Sequence, residues 1–217
     1  MPVDRSGPVL ALMAKSPVPG RVKTRLMPEL SASDAAGIAA LLIRETARLA
    51  ANTWPGPIHL LCWPDQKSSI FREIADSTRI RLAVQSTGGL GERMNTALCG
   101  FTSQGVPAAV IGCDVPHCPS DQLHLAYTLL SEGQNVIGPS LDGGYYFLGL
   151  QLCHPGLFSG IRWGESDVLQ MTMKRASELG IEFAALSTVR DIDDYGDLVA
   201  AASVIPSLQH VLDSGLS

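Results

Sequence analysis

From residue 9 onward, short apolar runs alternate with longer segments in which apolar residues recur at helical spacing. Val9-Leu-Ala-Leu-Met-Ala14 is continuously apolar and of strand length, which predicts a buried strand. Ser31-Ala-Ser-Asp34 supplies N-cap side chains, and Ile38, Leu41, Leu42, Thr46 and Leu49 follow on one face. They predict a helix of about five turns that stops before Trp54-Pro-Gly-Pro57. The same reading predicts strands over 58–63, 81–85, 108–112 and 182–186. Helices are predicted over 68–76, 92–101, 121–132 (Ser120 as cap, Gly133 as stop), 167–179 (Ser166 as cap, Gly180 as stop) and 194–202. The tail over 207–217 reads as a short helix.

The apolar segments 135–140 and 145–150 flank Leu141-Asp-Gly-Gly144. An Asp-Gly turn between two such segments ordinarily makes a hairpin. Two glycines followed by Tyr145 and Tyr146 would also leave room for a substrate with ring surface beside it. The alternation of strand and helix predicts an α/β chain: one domain over 1–217, in three layers (α/β/α), with a mostly parallel mixed sheet. Two functional edges are expected, one over about 8–116 and one over about 135–200.

Composition narrows the partners. With 46% hydrophobic residues in 217, the chain can bury a sizeable core. A net charge of −5, from 21 acids against 16 bases, argues against a broad nucleic-acid footprint. Five cysteines, odd in number and without a C-x-x-C pair, read as free thiols of a reducing cytosol. No secretory h-region opens the sequence and no apolar run reaches membrane-spanning length, so a soluble cytoplasmic protein is expected.

The bases are unevenly spread. Lys15, Arg21, Lys23 and Arg25 fall within Lys15-Ser-Pro-Val-Pro-Gly-Arg-Val-Lys-Thr-Arg25, directly after the first strand. Pro17, Pro19 and Gly20 disfavour a helix there, so the cations can converge on a polyanion, Arg by bidentate hydrogen bonds and Lys as a point charge. The competing reading is a solvated basic loop. No Walker pattern is present, which excludes a P-loop NTPase. Gly88-Gly-Leu-Gly91 leads into a helix carrying Arg93, a weak anion-binding signal on its own. Asp114, just past the fourth apolar strand in Cys113-Asp114-Val-Pro116, stands where open α/β sheets hold ligands and is the first metal-ligand candidate. In Arg190-Asp-Ile-Asp-Asp194, alternation puts Asp191 and Asp193 on the side opposite Ile192, and Asp193 is the choice for an inward-facing acid. Cys113, His117, Cys118 and His124 match no zinc spacing. Trp63 and Trp163 read as packing residues.

Six stretches taken together resemble a known family: Lys15 to Leu26, Leu90-Gly-Glu-Arg-Met94, Gly112-Cys-Asp-Val-Pro116, Gly138-Pro-Ser-Leu-Asp-Gly-Gly-Tyr-Tyr146, Trp163 and Asp191-Ile-Asp193. It is the glycosyltransferase A-like family called transferase 1, associated with radical-SAM and selenium-domain proteins and with arsenosugar synthesis. The resemblance runs from residue 9 to about residue 200. It implies a nucleotide-diphospho-sugar transferase fold (GT-A-like, Rossmann-like), shared with 2-phospholactate and molybdenum-cofactor guanylyltransferases.

By that resemblance Lys15, Gly20, Arg21, Lys23 and Arg25 would meet the donor's phosphates, and Leu90, Gly91 and Arg93 would lie against the nucleotide. Asp114 and Asp193 would hold Mg2+ or Mn2+. Asp142, Gly143, Gly144, Tyr145 and Trp163 would line the acceptor side, with Lys23, Asp114 and Asp142 closest to the chemistry. The implied partners are an NTP or nucleotide-sugar donor and a small acceptor, phosphorylated ones included, with no nucleic acid and no membrane. Nucleotidyl and glycosyl transfer both fit, and a nucleotide-binding module without catalysis is the alternative. Two departures stand out: the family's Trp-Ser is Trp163-Gly164, and its Thr-Pro-Glu-Asp is Asp194-Tyr-Gly-Asp197.

Overall fold

Val9 to Leu12 are apolar at every position because both faces of the strand they form are covered. Val9 and Ala11 point into one core cluster, Leu10 and Leu12 into another. The computed structural model describes residues 7–213. Its strands are β1 (Val9–Lys15), β2 (Ile58–Trp63), β3 (Arg81–Val84), β4 (Ala108–Gly112), β5 (Asn135–Pro139), β6 (Tyr145–Leu150) and β7 (Phe183–Ala185). They form one sheet in the order β3-β2-β1-β4-β6-β5-β7. Only β6 runs against its neighbours, β4 and β5, so the sheet is mixed and mostly parallel.

The helices are α1 (Ala32–Thr53), α2 (Ser69–Ser77), α3 (Leu90–Thr102), α4 (Ser120–Ser131), α5 (Val168–Glu178), α6 (Tyr195–Ala202) and α7 (Pro206–Asp213). One face of the sheet is packed by α1, α2 and α4 through Ile43, Phe71 and Leu123. The other is packed by α3, α5 and a 3-10 turn, Pro155–Phe158, through Met94, Leu98, Ala176 and Leu157. Side chains such as Leu12, Phe71 and Phe147, each 0% exposed, contribute about 1.5–3 kcal/mol apiece by leaving water. A third cluster joins the outer face of α1 to α6 and α7 through Leu42, Leu198 and Leu208, closing the C-terminal helices over the basic loop's Leu26.

Residues 135–150 do form a hairpin, with a register shift between Gly138 and Pro139. Some boundaries differ from the sequence reading. Ser120 is the first residue of α4 rather than its cap, which is Pro119. Asp167, not Ser166, occupies the cap of α5, and its side chain makes no capping bond. The helix expected over 92–101 begins earlier, at Leu90, because the Gly89 N–H donates to Glu92 Oε2 at 2.7 Å and closes the first turn. The departure Asp194-Tyr-Gly-Asp197 keeps its capping function: Asp194 accepts from the Asp197 N–H, and Asp197 from the Asp194 N–H. Residues 214–217 of the expected tail helix lie outside the described residues.

The cysteine reading needs a larger correction. Cys99 and Cys153, 54 residues apart, form a disulfide between α3 and the segment after β6. Spacing along the chain gave no sign of it, since only the packing of the 3-10 turn on α3 brings the two together. Cys62, Cys113 and Cys118 are free and buried. Among the described residues no helix is long and apolar enough to cross a membrane.

Candidate active site

The basic loop is anchored at both ends. Its first residue, Lys15, continues β1 in register with Trp63 of β2, and Ser16 N–H donates to Trp63 O at 2.7 Å. Gln85 clamps the two strand ends from below, its amide donating to Ala14 O at 3.0 Å and Leu61 O at 2.7 Å. The loop turns at Gly20 (φ 74°), and the Lys15 ammonium crosses it to donate to Arg21 O at 2.6 Å. It ends in a 3-10 turn, Thr24–Leu26, preceded by Lys23 at φ 46°. Lys23 is the one non-glycine residue with positive φ among the described residues. That conformation costs about 1–2 kcal/mol and persists only where surrounding contacts enforce it.

The enforcing contacts are carboxylates. Lys23 Nζ lies 2.7 Å from Asp114 Oδ1 and 3.0 Å from Asp193 Oδ1, and donates to Ile192 O at 2.5 Å. Burial alone would lower the Lys23 pKa, but the charges of Asp114 and Asp193 outweigh it and hold the ammonium above its ordinary value. Arg25 Nη1 stands 3.5 Å from the other oxygen of Asp193. The two acids reach one point by backbone pairing. Past β7 the chain follows the end of β5, where Val189 N–H donates to Pro139 O at 3.1 Å; then Ile192 N–H donates to Asp114 O at 3.0 Å. Ile192 faces inward at 1% exposure, which turns its acidic neighbours toward the cavity.

Around this centre lies a cavity of about 360 Å³ lined by Lys15, Arg21, Lys23, Arg25, Asp114 and Asp193, with Met13 and Cys113 at its base. A second chamber of about 220 Å³ adjoins it at Met13, Cys113 and Asp114, and carries Leu90, Tyr145, Tyr146 and Asp191. Phosphate-end and acceptor-end candidates thus meet at Asp114.

Other expected residues stand elsewhere. Gly20 shapes the loop without lining either chamber. Gly91 is covered by Trp163, whose ring atom would lie 2.5 Å from an added Cβ. Trp163 also meets Tyr145 edge-on at 6.3 Å and stacks on Phe158, so it supports the second chamber from behind. Gly143 backs onto Ser166 O, which would lie 1.9 Å from a Cβ there. Asp142 closes its own turn, accepting from Ser140 Oγ and from Gly144 N–H at 2.9 Å. Arg93 lines neither chamber, its guanidinium lying 4.7 Å over the Trp63 ring.

Asp191 is the residue sequence reasoning passed over. Burial, then the charges of Asp142, Asp114 and Asp193, push its carboxyl up to about 7 against a weaker pull from Lys23. Its Oδ1 is out of water and has no hydrogen-bond partner. The Asp-x-Asp alternation had put both acids on one side, but nothing in it said that Arg25 and Lys23 would engage Asp193 and leave Asp191 unmatched.

A hard divalent cation suits the chemistry of this donor set, because Lys23 and Arg25 answer Asp114 and Asp193 and leave the Asp191 oxygen without a partner. Among the described residues no three His, Cys, Asp or Glu side chains converge closely enough to hold an ion by themselves. The same holds for Cys113, His117, Cys118 and His124.

No functionally curated protein is significantly similar to the chain in sequence. Among solved structures, a Desulfovibrio desulfuricans G20 protein named as a presumed nucleotide-diphospho-sugar transferase superposes with a TM-score of 0.77 and 28% identity, covering 90% of this chain and 86% of its own. Two more distant structures share the fold. The 4-diphosphocytidyl-2C-methyl-D-erythritol synthase of Anaerococcus prevotii DSM 20548 has a TM-score of 0.58 at 12% identity over 92% of this chain and 96% of its own. Rv0371c of Mycobacterium tuberculosis H37Rv has 0.57 at 14%, over 91% and 99%. The fold is that of the nucleotide-diphospho-sugar transferases, GT-A-like and Rossmann-like. Residues 46–165 match the model of the family described as uncharacterized proteins conserved in bacteria, DUF2064, and the chain belongs to that family.

Proposed function

We propose that this protein is a divalent-cation-dependent transferase that draws on a nucleotide donor. The observation that carries the reading is the Lys23 ammonium held between Asp114 and Asp193 at the floor of a cavity ringed by Lys15, Arg21 and Arg25. Four cationic side chains around one cavity suit the charge of a triphosphate, so nucleotidyl transfer from an NTP is the favoured reaction. In it an acceptor oxygen attacks the α-phosphorus, the bond to the β-phosphate oxygen breaks, and pyrophosphate leaves.

No protein nucleophile is needed, and the work is positioning and charge neutralisation. Lys15, Arg21 and Arg25 would bind the departing phosphates, and Lys23 would donate to an oxygen that gains charge. Asp114 would hold the cation, with Asp193 or Asp191 as the second carboxylate; bound there, Mg2+ or Mn2+ would neutralise charge on the phosphates. Asp142, which keeps one oxygen outside its turn, would orient the acceptor or take its proton. Tyr145 would bound the acceptor's chamber.

Glycosyl transfer from a nucleotide-sugar is the second reading, favoured by two tyrosines beside Asp114 in the adjoining chamber. Incubating the protein and Mg2+ with NTPs or nucleotide-sugars and a panel of small phosphorylated acceptors tests both. Release of pyrophosphate supports the first and release of nucleoside diphosphate the second. Donor binding in thermal-shift measurements with no turnover for any acceptor would overturn both and leave a binding module.

A further inference from the structure

A third cavity, of about 250 Å³, lies between α3 and the α3-side face of β2 and β3, and shares no lining residue with the two chambers at Asp114. The cavity exists because α3 packs chiefly over β4 and leaves a gap above β2 and the edge strand β3. Leu61, Ala83, Ala97 and Phe101 make the walls apolar. Arg93 and Ser86 stand at one end, and Thr96 of α3 and Gln104 just past its end add polar atoms farther along. Among the described residues Arg93 has no acid within ion-pair distance, and its Nε is out of water without a hydrogen-bond partner. Ser86 Oγ is buried and unpartnered in the same way.

At the other end the His59 ring lies against Phe101, centroids 5.1 Å apart, eight residues or about 12 Å along α3 from Arg93. Burial, and then the charge of Arg81 on the neighbouring strand, keep His59 below its usual pKa, so the imidazole itself brings no charge to that end. Gly100 opens the wall further: a Cβ built there would meet nothing within 4 Å. A glycine inside a helix costs about 1 kcal/mol relative to alanine, and no neighbour requires this one.

We propose that this trough is a second ligand site, for a small planar aromatic anion whose carboxylate or phosphate pairs with Arg93 and Ser86 and whose ring lies along Ala97 toward Phe101. The guanidinium already rests on the Trp63 ring, which orders it and leaves its outer donors for a bidentate acceptor. The volume falls just below that of drug-sized pockets, which limits the ligand to one or two rings. The trough contains no residue assigned to the acceptor, the cation or the phosphates, and Arg93, expected against the nucleotide, lines it and neither chamber at Asp114.

Calorimetric titration of the full chain with 1-naphthoate and 1-naphthyl phosphate, and with neutral 1-naphthamide, tests it. At least one anion is expected to bind with a Kd of roughly 0.1–1 mM and the amide at least tenfold more weakly. Gly100→Phe, which fills the trough from open space, and Arg93→Met are each expected to weaken anion binding tenfold or more while the thermal transition stays in place. The proposal is overturned if neither anion binds, if the amide binds equally well, or if Gly100→Phe leaves binding unchanged. Displacement of the anion by an NTP with Mg2+ would overturn it too, by making the trough the donor's base slot.

Discussion

Lys23 and Asp193, 170 residues apart in the chain, meet at 3.0 Å, and the lysine holds a left-handed backbone to do so. An ammonium between two carboxylates is their internal counterion, and under the proposed reaction it is the group that would re-pair on phosphate. Lys23→Met is expected to lower turnover by about 10²–10³-fold, the usual cost of losing a donor to developing charge. Its effect on folding should be modest, roughly 1–2 kcal/mol, because the carboxylates it leaves are 36–47% exposed and can be solvated. Lys23→Gly should lose the same activity yet recover about 1 kcal/mol by relieving the positive φ. Urea unfolding of the pair beside steady-state rates checks both.

Asp114 and Asp193 should not be equivalent. Lys23 pairs with both, but Arg25 reaches Asp193, whereas Asp114 lines both chambers. Asp114→Asn is expected to abolish metal-dependent turnover. Asp193→Asn should retain measurable activity with a raised requirement for Mg2+. Titration of the rate against Mg2+ for each variant decides, and undiminished activity of Asp114→Asn would remove that residue from the mechanism.

Asp191 sets a conflict between stability and function. Its carboxyl stands at about 7 in the folded chain against 3.8 ordinarily, so the folded state binds the proton more tightly than the unfolded one. The contribution of Asp191 to stability is therefore fully present below about pH 4 and is lost as pH rises through 7. Asp191→Asn removes this dependence. The variant should melt a few degrees above the parent at pH 8 without divalent cation and no higher at pH 5. Added Mg2+ should raise the parent's Tm more than the variant's. Scanning calorimetry at the two pH values, with and without Mg2+, provides the comparison.

The Cys99–Cys153 bond closes a loop of 54 residues that contains β4, α4 and the hairpin. Chain-entropy reasoning gives up to about 4 kcal/mol for a loop of that length. Denatured protein without reductant should show three thiols, from Cys62, Cys113 and Cys118, and five after reduction. Cys153→Ser should lower the Tm by several degrees. Because the bond fastens α3 to the segment leading to Trp163, it should also weaken acceptor binding more than donor binding.

The sequence by itself determined the elements and their alternation. Continuous apolar runs such as 9–14 and 108–112 suit only strands covered on both faces, and the 3.6-residue period of α1 suits only a helix with one buried stripe. Those are local signals, written within a dozen residues. The density of cations in the basic loop and the position of Asp114 after β4 were legible for the same reason. Tertiary structure decided what local pattern does not encode. It set which acid pairs with which cation, so that Asp114 and Asp193 are engaged and Asp191 orphaned, and it laid Arg93 over Trp63, outside both chambers at Asp114. It also brought Cys99 to Cys153 and placed Trp163 behind the site. Each depends on side chains distant in sequence reaching the same few ångströms, and charge and burial, unlike periodicity, are properties of that shared space.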